Sequence, residues 1–374
     1  MENTVPEAEL ITTSAGLEQV VERLQHADAV AVDTEFFWER TFYPILGLVQ
    51  LATADGACWL IDTVRIKDIR ALGPVLASPE VTKVLHDAPQ DLGILARATG
   101  ALPQTVFDTR LACGFAGFNS TSSLQALLRQ ALGIELSKAE TRSDWLRRPL
   151  SANQVRYAAD DVLHLLPLRE FLLARCASDA VRGWLSEDLA RLDDPELYRD
   201  RDPRLMYLRV KGSSRLEARQ LAILRELGAW REEEARQRDW PRSHVLPDDL
   251  LISLAGIAPT DQQALGAVPG MPRNMPGTVT AALLTAVTRG LAVSEGDCPQ
   301  PSSDDSASRR TLKSQSDRLL AHISAACLSH SIDPALVASR ADADSFVQRL
   351  AQGTAINHPL AHGWRRTFVT EFLK

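Results

Sequence analysis

The stretch AVAVDTEFF, residues 29–37, runs from small apolar residues into two carboxylates, Asp33 and Glu35, one residue apart. On an extended strand, residues i and i+2 project from the same face. The two acids therefore point together, and like charges so close repel unless one is protonated or a cation lies between them. Three more side chains carry chemistry of the same kind. Asp91 falls in the first turn of a helix that opens APQDL, and Tyr157 and Asp161, four apart in YAADD, share one face of a later helix. Taken singly, each has an ordinary reading. D-x-E can be two solvated acids at a strand end, Asp91 can complement a helix dipole, and Tyr157 can be a core aromatic with an exposed Asp161 beyond it.

The elements that would position these groups fall into two halves. AVAV (29–32), LGLVQLA (46–52) and CWLID (58–62) read as short strands, the last two joined by TADGA with an Asp55-Gly56 hairpin-turn signal. Ile66, Ile69, Leu72 and Val75 recur with helical spacing, and VTKVLH (81–86) reads as another strand. Asp87 is placed to cap the next helix, with Pro89 in its first turn and Gly100 past its end. TVFDTRLACGFAG repeats the switch from strand to helix. A largely antiparallel opening followed by β–α alternation predicts a mixed sheet flanked by helices. From about residue 151 onward the strand signal disappears. SANQVRYAADDVLHLLPLREFLLARC reads as one long helix with a Ser151/Gln154 capping box, RDRDPR (199–204) as a charged break, and SEGDCPQPSSDDSAS (294–308) as a linker.

The whole chain limits the function classes. Its 374 residues, 45% hydrophobic and 24% charged, are ordinary globular composition and enough for two or three domains. A net charge of −7 argues against simple coating of nucleic acid, yet leaves room for a local basic patch and for acids neutralised by metal ions. Five scattered cysteines form neither a disulfide framework nor a C-x-x-C metal pattern, which predicts core positions and a reducing, cytoplasmic setting. No signal-like N-terminus or membrane-spanning run is read, so no membrane partner is expected. No G-x-x-x-x-G-K-[ST] loop is present, which argues against a helicase engine.

In order, Asp33-Thr34-Glu35, then His86…Asp91-Leu92, then Tyr157…Asp161 resemble the signature of the DEDD exonuclease superfamily, tyrosine subclass. DTEFFWERTFYPILGLVQLA and DWLRRPLSANQVRYAADDVLHLLPL resemble its ribonuclease D family across whole segments. The resemblance implies a ribonuclease H-like α/β exonuclease domain with a mixed sheet over 1–200, followed by two small all-α HRDC-like domains. LRELGAWREEEARQRDWPRSHVLPDDLLISLAGIAP and LGAVPGM carry the first, 208–292; HPLAHGWRRTFVTEFL carries the second, 309–374, after a linker at 293–308. It implies a metal-dependent 3′→5′ exoribonuclease that releases nucleoside 5′-monophosphates, with the 3′ ends of transfer-RNA precursors and other structured RNAs as substrates, acting as a monomer. Two divalent cations, Mg²⁺ or Mn²⁺, would clamp the attacking and leaving oxygens. In the family's pattern Asp33, Glu35 and Asp161 hold one ion, Asp33 and Asp91 the other, and Tyr157 orients the attacking water. Oxygen donors of this kind suit hard cations.

Neighbouring residues keep two readings. Thr34, Phe36, His86 and Arg148 are candidate substrate contacts, although for His86 a packed or hydrogen-bonded ring is the favoured reading. Asp108 reads as a cap for the following helix, and Trp145 as packing. Phe37, Trp38, Phe42 and Tyr43 can stack on bases or fill the core. Arg40, Arg142 and Arg147 can meet phosphates or solvent. In the tail, basic RVKGSSRLEAR and RQRDWPR are interrupted by REEEA and PDDL, the pattern either of a solvated helix face or of RNA contacts made mostly to phosphates.

Overall fold

Alternation along residues 29–62 is realised as a sheet with a different apolar cluster on each face. The structure, a computed structural model, describes residues 8–136, 140, 143–176, 178–301 and 306–373. Arg142 and residues 302–305 of the expected linker lie outside the described residues. The chain divides into two units: Met1–Phe37 with Leu46–Tyr198 and Asp305–Lys374, and Trp38–Ile45 with Arg199–Asp304.

In the first unit the elements run β1 (Glu9–Ile11), α1 (Ser14–Leu24), β2 (Ala29–Phe37), β3 (Ile45–Ala52), β4 (Cys58–Asp62), α2 (Gly73–Leu76), β5 (Thr82–Leu85), α3 (Pro89–Thr99) and β6 (Val106–Asp108). Helices α4 (Thr109–Phe115), α5 (Leu124–Leu132), α6 (Ala152–Leu163), α7 (Leu165–Arg175) and α8 (Asp179–Ala190) follow. The six strands form one mixed sheet in the order β1-β4-β3-β2-β5-β6. β3 and β4 pair antiparallel with Gln50 opposite Leu60, and β1–β4, β2–β5 and β5–β6 pair parallel. Residues Val30 and Val32 of β2 join one buried cluster with Leu92 and Leu95 of α3. Ala31 joins the other, with Ala158, Ala159 and Val162 of α6. The strand is thus clamped on both faces.

Four details differ from the sequence reading. β2 does not stop at the acids but continues to Phe37, and β1 adds a short edge strand. The helix expected from Ile66 shrinks to a 3₁₀ turn at Arg70–Leu72 and one turn of α2. Asp68 accepts from the backbone N–H and from Nε of Arg70, a local bond that competes with a helical start. The single long helix after Ser151 is two, broken at His164. Pro167 cannot donate to the carbonyl four residues back, which ends α6 there. The Ser151/Gln154 capping box is formed as expected.

The second unit comprises α9 (Ala218–Arg238), α10 (Arg242–Val245), α11 (Asp248–Ile257), α12 (Gln262–Gly266) and α13 (Gly277–Leu291), with 3₁₀ turns before them. Leu221, Leu224, Leu227, Leu251, Leu254 and Val287 build its core. The run REEEA is not wholly a solvated face. Glu232 is buried and accepts from Arg236 and Arg242, while buried Arg231 donates to the Leu246 carbonyl and to Asp248. The segment Trp38–Ile45, between β2 and β3, packs within this unit: Asp239 accepts from the N–H groups of Phe42 and Tyr43.

The closing helices, α14 (Ser306–Leu328) and α15 (Arg340–Ala351), belong to the first unit. Leu319, Ile323, Phe346, Trp364 and Phe368 share a buried cluster with α4, α7 and α8. Asp188 of α8 is the polar anchor, accepting from Trp364 Nε1 at 3.0 Å and from both terminal nitrogens of Arg365. All five cysteines are free and buried, in keeping with core roles.

Candidate active site

At the far end of β2, carboxylates arrive from three elements. Asp33 and Glu35 share the β2 face that packs on α6, and Asp161, in the last turns of α6, meets them there. One ligand oxygen from each of these three acids lies within 4.8 Å of the other two. Asp91, in the first turn of α3, comes from the opposite face of the sheet, and its carboxylate accepts a hydrogen bond from the Thr34 hydroxyl. Thr34, one residue out of phase with its acidic neighbours, therefore ties α3 to β2 rather than facing the other acids.

The entry to α3 is held by an element the sequence placed differently. Asp87 is not the cap; it has φ of 65° and pairs with Arg110. Instead Asp108 accepts from the N–H groups of Asp87 and Ala88, both at 3.0 Å, while also capping α4 through Arg110 N–H at 2.8 Å. The α6 end is held by Tyr157, whose hydroxyl donates to Asp161 and whose ring packs on Trp145 with centroids 6.0 Å apart.

Burial is the leading cause of an upward shift in every one of the four acids. It lifts Asp33 well above the ordinary carboxylate range, aided by Asp91, Asp161 and Glu35. Glu35 is pushed up to about 9 by burial and then by Asp161 and Asp91. Asp161 rises to about 7 and Asp91 to about 6, each restrained by its hydrogen bond from Tyr157 or Thr34. Tyr157 is itself pushed further up by burial and by the charges of Asp161, Glu35 and Asp33. Such a site holds protons or cations. The donor set fits a hard divalent cation: it is all carboxylate oxygen and mutually repulsive when ionised, and the amide of Gln50, whose Nε2 lies 3.5 Å from Asp33 Oδ2, has a buried Oε1 with no protein partner. Gln50 was missed in the sequence; the available signal was an amide between Leu48 and Ala52 on the inward phase of an apolar strand.

Two expected substrate contacts are corrected. Arg148 is held within the fold: Nε donates to Asp62 at 2.7 Å, one terminal nitrogen to the Trp145 and Arg147 carbonyls at 2.8 Å, and the other to the Gly47 carbonyl at 2.7 Å. Asp62 is completely buried, so this guanidinium neutralises an interior charge, with four of its five N–H groups spent inside the fold. His86 is the packed histidine of the alternative reading, with Nδ1 2.9 Å from Thr109 Oγ1 and Nε2 3.1 Å from the Ser122 carbonyl. Phe36 and Phe37 are half-buried; Phe42 is buried beneath the guanidinium groups of Arg236 and Arg242, and the Tyr43 hydroxyl donates to Asp200. Trp38, Arg40 and Arg147 are exposed, and Trp145 is core, as read.

Comparison with known proteins agrees with this geometry. A family model described as 3′-5′ exonuclease matches residues 8–176, and one described as HRDC domain matches residues 220–285. Ribonuclease D of Desulfotalea psychrophila is 39% identical over 373 residues, covering 97% of this chain and 96% of that protein. Ribonuclease D of Pseudomonas paraeruginosa is 45% identical over 269 residues, covering 72% of this chain and 70% of its own. The crystal structure of Escherichia coli RNase D, an exoribonuclease involved in structured RNA processing, matches with a TM-score of 0.83 at 29% identity, covering 98% of this chain and 97% of that one. The carboxylate cluster, the mixed sheet that carries it and this near full-length similarity lead to one conclusion: the chain belongs to the ribonuclease D family and is a metal-dependent 3′-5′ exoribonuclease.

Proposed function

We propose that this enzyme trims the 3′ ends of transfer-RNA precursors and other structured RNAs one nucleotide at a time, as a cytoplasmic monomer, using Asp33, Glu35, Asp91, Asp161 and Tyr157. The observation that carries this reading is the meeting of three carboxylate oxygens within 4.8 Å at the end of a doubly buried strand. Asp33, Glu35 and Asp161 would hold one divalent cation, and Asp33 with Asp91 would hold a second. When bound, the cations offset the negative charge that develops on the attacking, non-bridging and leaving oxygens and make the attacking water acidic. The protein's own groups do the rest. Thr34 and Asp108 fix where Asp91 stands. Tyr157 is held on its proton by burial and by the carboxylates around it, so its hydroxyl directs a water by hydrogen bonding and is not the base. Arg40 and Arg147, both exposed, remain candidates for phosphate contacts, and the HRDC helices would add contacts that weaken with salt.

The test is degradation of 5′-labelled RNA beside the matching DNA, with Mg²⁺, Mn²⁺ or EDTA. A ladder shortening from the 3′ end, with nucleoside 5′-monophosphates released, is expected on RNA with either cation, and none with EDTA. Asp33→Ala and Asp161→Ala should each abolish it. Tyr157→Phe should lower the rate by about two orders of magnitude, the scale of a group acting on a reacting water, with Mn²⁺ affinity retained. Turnover surviving both alanine substitutions would remove the assignment of the acids.

A further inference from the structure

Gln50 is completely buried in β3, and the residues two positions either side, Leu48 and Ala52, belong to the apolar cluster beneath α6. Nothing in that cluster calls for an amide. Its Nε2 reaches Asp33 Oδ2 only at 3.5 Å, and its carbonyl Oε1 is buried with no hydrogen-bond partner. A buried acceptor left unpaired works against folding, so its presence points to a water, an ion or a catalytic duty. β3 lies beside β2 in the sheet, and the orphaned oxygen belongs to the same amide that approaches Asp33. Mg²⁺ in particular keeps several waters when carboxylates hold it, and those waters are hydrogen-bond donors in need of acceptors.

We propose that Gln50 is a positioning residue of the cation site, its Nε2 fixing one oxygen of Asp33 and its Oε1 accepting a hydrogen bond from a water molecule on the divalent cation that Asp33 holds. The inference rests on the reading of Asp33 as a cation ligand. It assigns the amide a cost to the apo fold and a benefit to the loaded site. A purely structural amide would show the reverse.

The experiment titrates Mn²⁺ alone, without RNA, into the full-length protein, reading affinity by calorimetry and free Mn²⁺ by electron paramagnetic resonance. Gln50→Leu and Gln50→Met keep the volume and remove the amide; Asp33→Ala is run beside them. Both Gln50 variants should lose about 10–100-fold in Mn²⁺ affinity, the range for groups that support metal ligands. Their melting temperatures in EDTA should equal or exceed that of the native protein. Asp33→Ala should remove cation binding at the site. If Asp33→Ala binds Mn²⁺ like the native protein, the cation reading itself fails. If Asp33→Ala loses binding while both Gln50 variants match the native affinity, the cation reading stands and the Gln50 inference is overturned. Failure of both Gln50 variants to fold, or a lowered melting temperature with native affinity, would make the amide structural and overturn it equally.

Discussion

Replacing Glu35 by Gln should make the metal-free protein more stable, and by an amount that grows with pH. Glu35 stands with Asp33 and Asp161 in a cluster whose oxygens approach within 4.8 Å. One pair of unit charges at that separation repels by about 3 kcal/mol at an effective dielectric constant near 20. The titration of Glu35 leads to a similar figure. Its pKa is pushed from 4.5 up to about 9, mainly by burial and next by Asp161 and Asp91. An acid whose pKa is raised by folding contributes its full stability below the unfolded value and loses it as pH climbs through the folded one. Between pH 4.5 and 7 that loss is roughly 2.5 pKa units, or about 3 kcal/mol, growing by about 1.4 kcal/mol per pH unit. Gln cannot ionise and escapes it. Urea unfolding in EDTA at pH 5, 6, 7 and 8 should therefore show Glu35→Gln ahead by less than about 1 kcal/mol at pH 5 and by about 3 kcal/mol at pH 7. Saturating Mn²⁺ should narrow the gap at pH 7, since the native site gains about 2.7 kcal/mol at a hundredfold excess over Kd and the variant gains less. A gap that does not change with pH, or a variant less stable than native at pH 7 in EDTA, would refute the reasoning.

Two further substitutions test the scaffold. Arg148→Met leaves the buried Asp62 charge without its guanidinium and should cost about 3–5 kcal/mol, read as a lowered calorimetric transition with RNA affinity unchanged for protein that remains folded; a loss of RNA affinity without a loss of stability would restore the phosphate-contact reading. Gly47→Ala would place a Cβ 2.6 Å from the Trp145 carbonyl oxygen, closer than such contacts occur. Displacing that backbone should cost about 1–3 kcal/mol and should slow RNA cleavage more than it weakens RNA binding, because Trp145 packs on Tyr157.

What could be read from the sequence, and what could not, follows the range of each interaction. The strands at 46–52 and 58–62 and their Asp-Gly turn depend on local alternation and turn chemistry, and they stand within a residue of where the pattern puts them. The Ser151 capping box is likewise local and is formed. Asp87 and Arg148 went the other way. Asp87 has the residue type and position of a cap, yet the corner is held by a carboxylate 21 residues downstream, Asp108, which accepts from the N–H groups of Asp87 and Ala88. Arg148 has the residue type of a phosphate ligand, yet it lies against Asp62 and Gly47 from two other strands. Both outcomes turn on contacts between distant segments, which spacing cannot report. The acids were legible because five residues in order make a pattern; Gln50 was not, because one amide in an apolar strand makes none.

The same distinction explains how the fold tolerates the site. When ionised, Asp33 and Glu35 repel each other and Asp161, so the cluster alone would either take up protons or splay apart. It is held because its supports approach from opposite faces of one strand. Val30 and Val32 anchor β2 to α3, which brings Asp91, and Ala31 anchors it to α6, which brings Asp161. Arg148 then fastens the segment that leads into α6 onto β3 and β4, through the Gly47 carbonyl and Asp62. Relaxing the repulsion would require breaking one of the two apolar clusters, each built from many buried side chains. The repulsion is thus held against hydrophobic burial, and binding a proton or a cation is what relieves it. On this account a substitution that loosens α6, such as Gly47→Ala, should weaken Mn²⁺ binding even though it touches no ligand, because carboxylates free to separate have less to gain from a cation. Calorimetric titration of Mn²⁺ into that variant would detect it. Native affinity in a variant that is clearly destabilised would mean the acids are held by β2 alone, and the two-faced support would have to be abandoned.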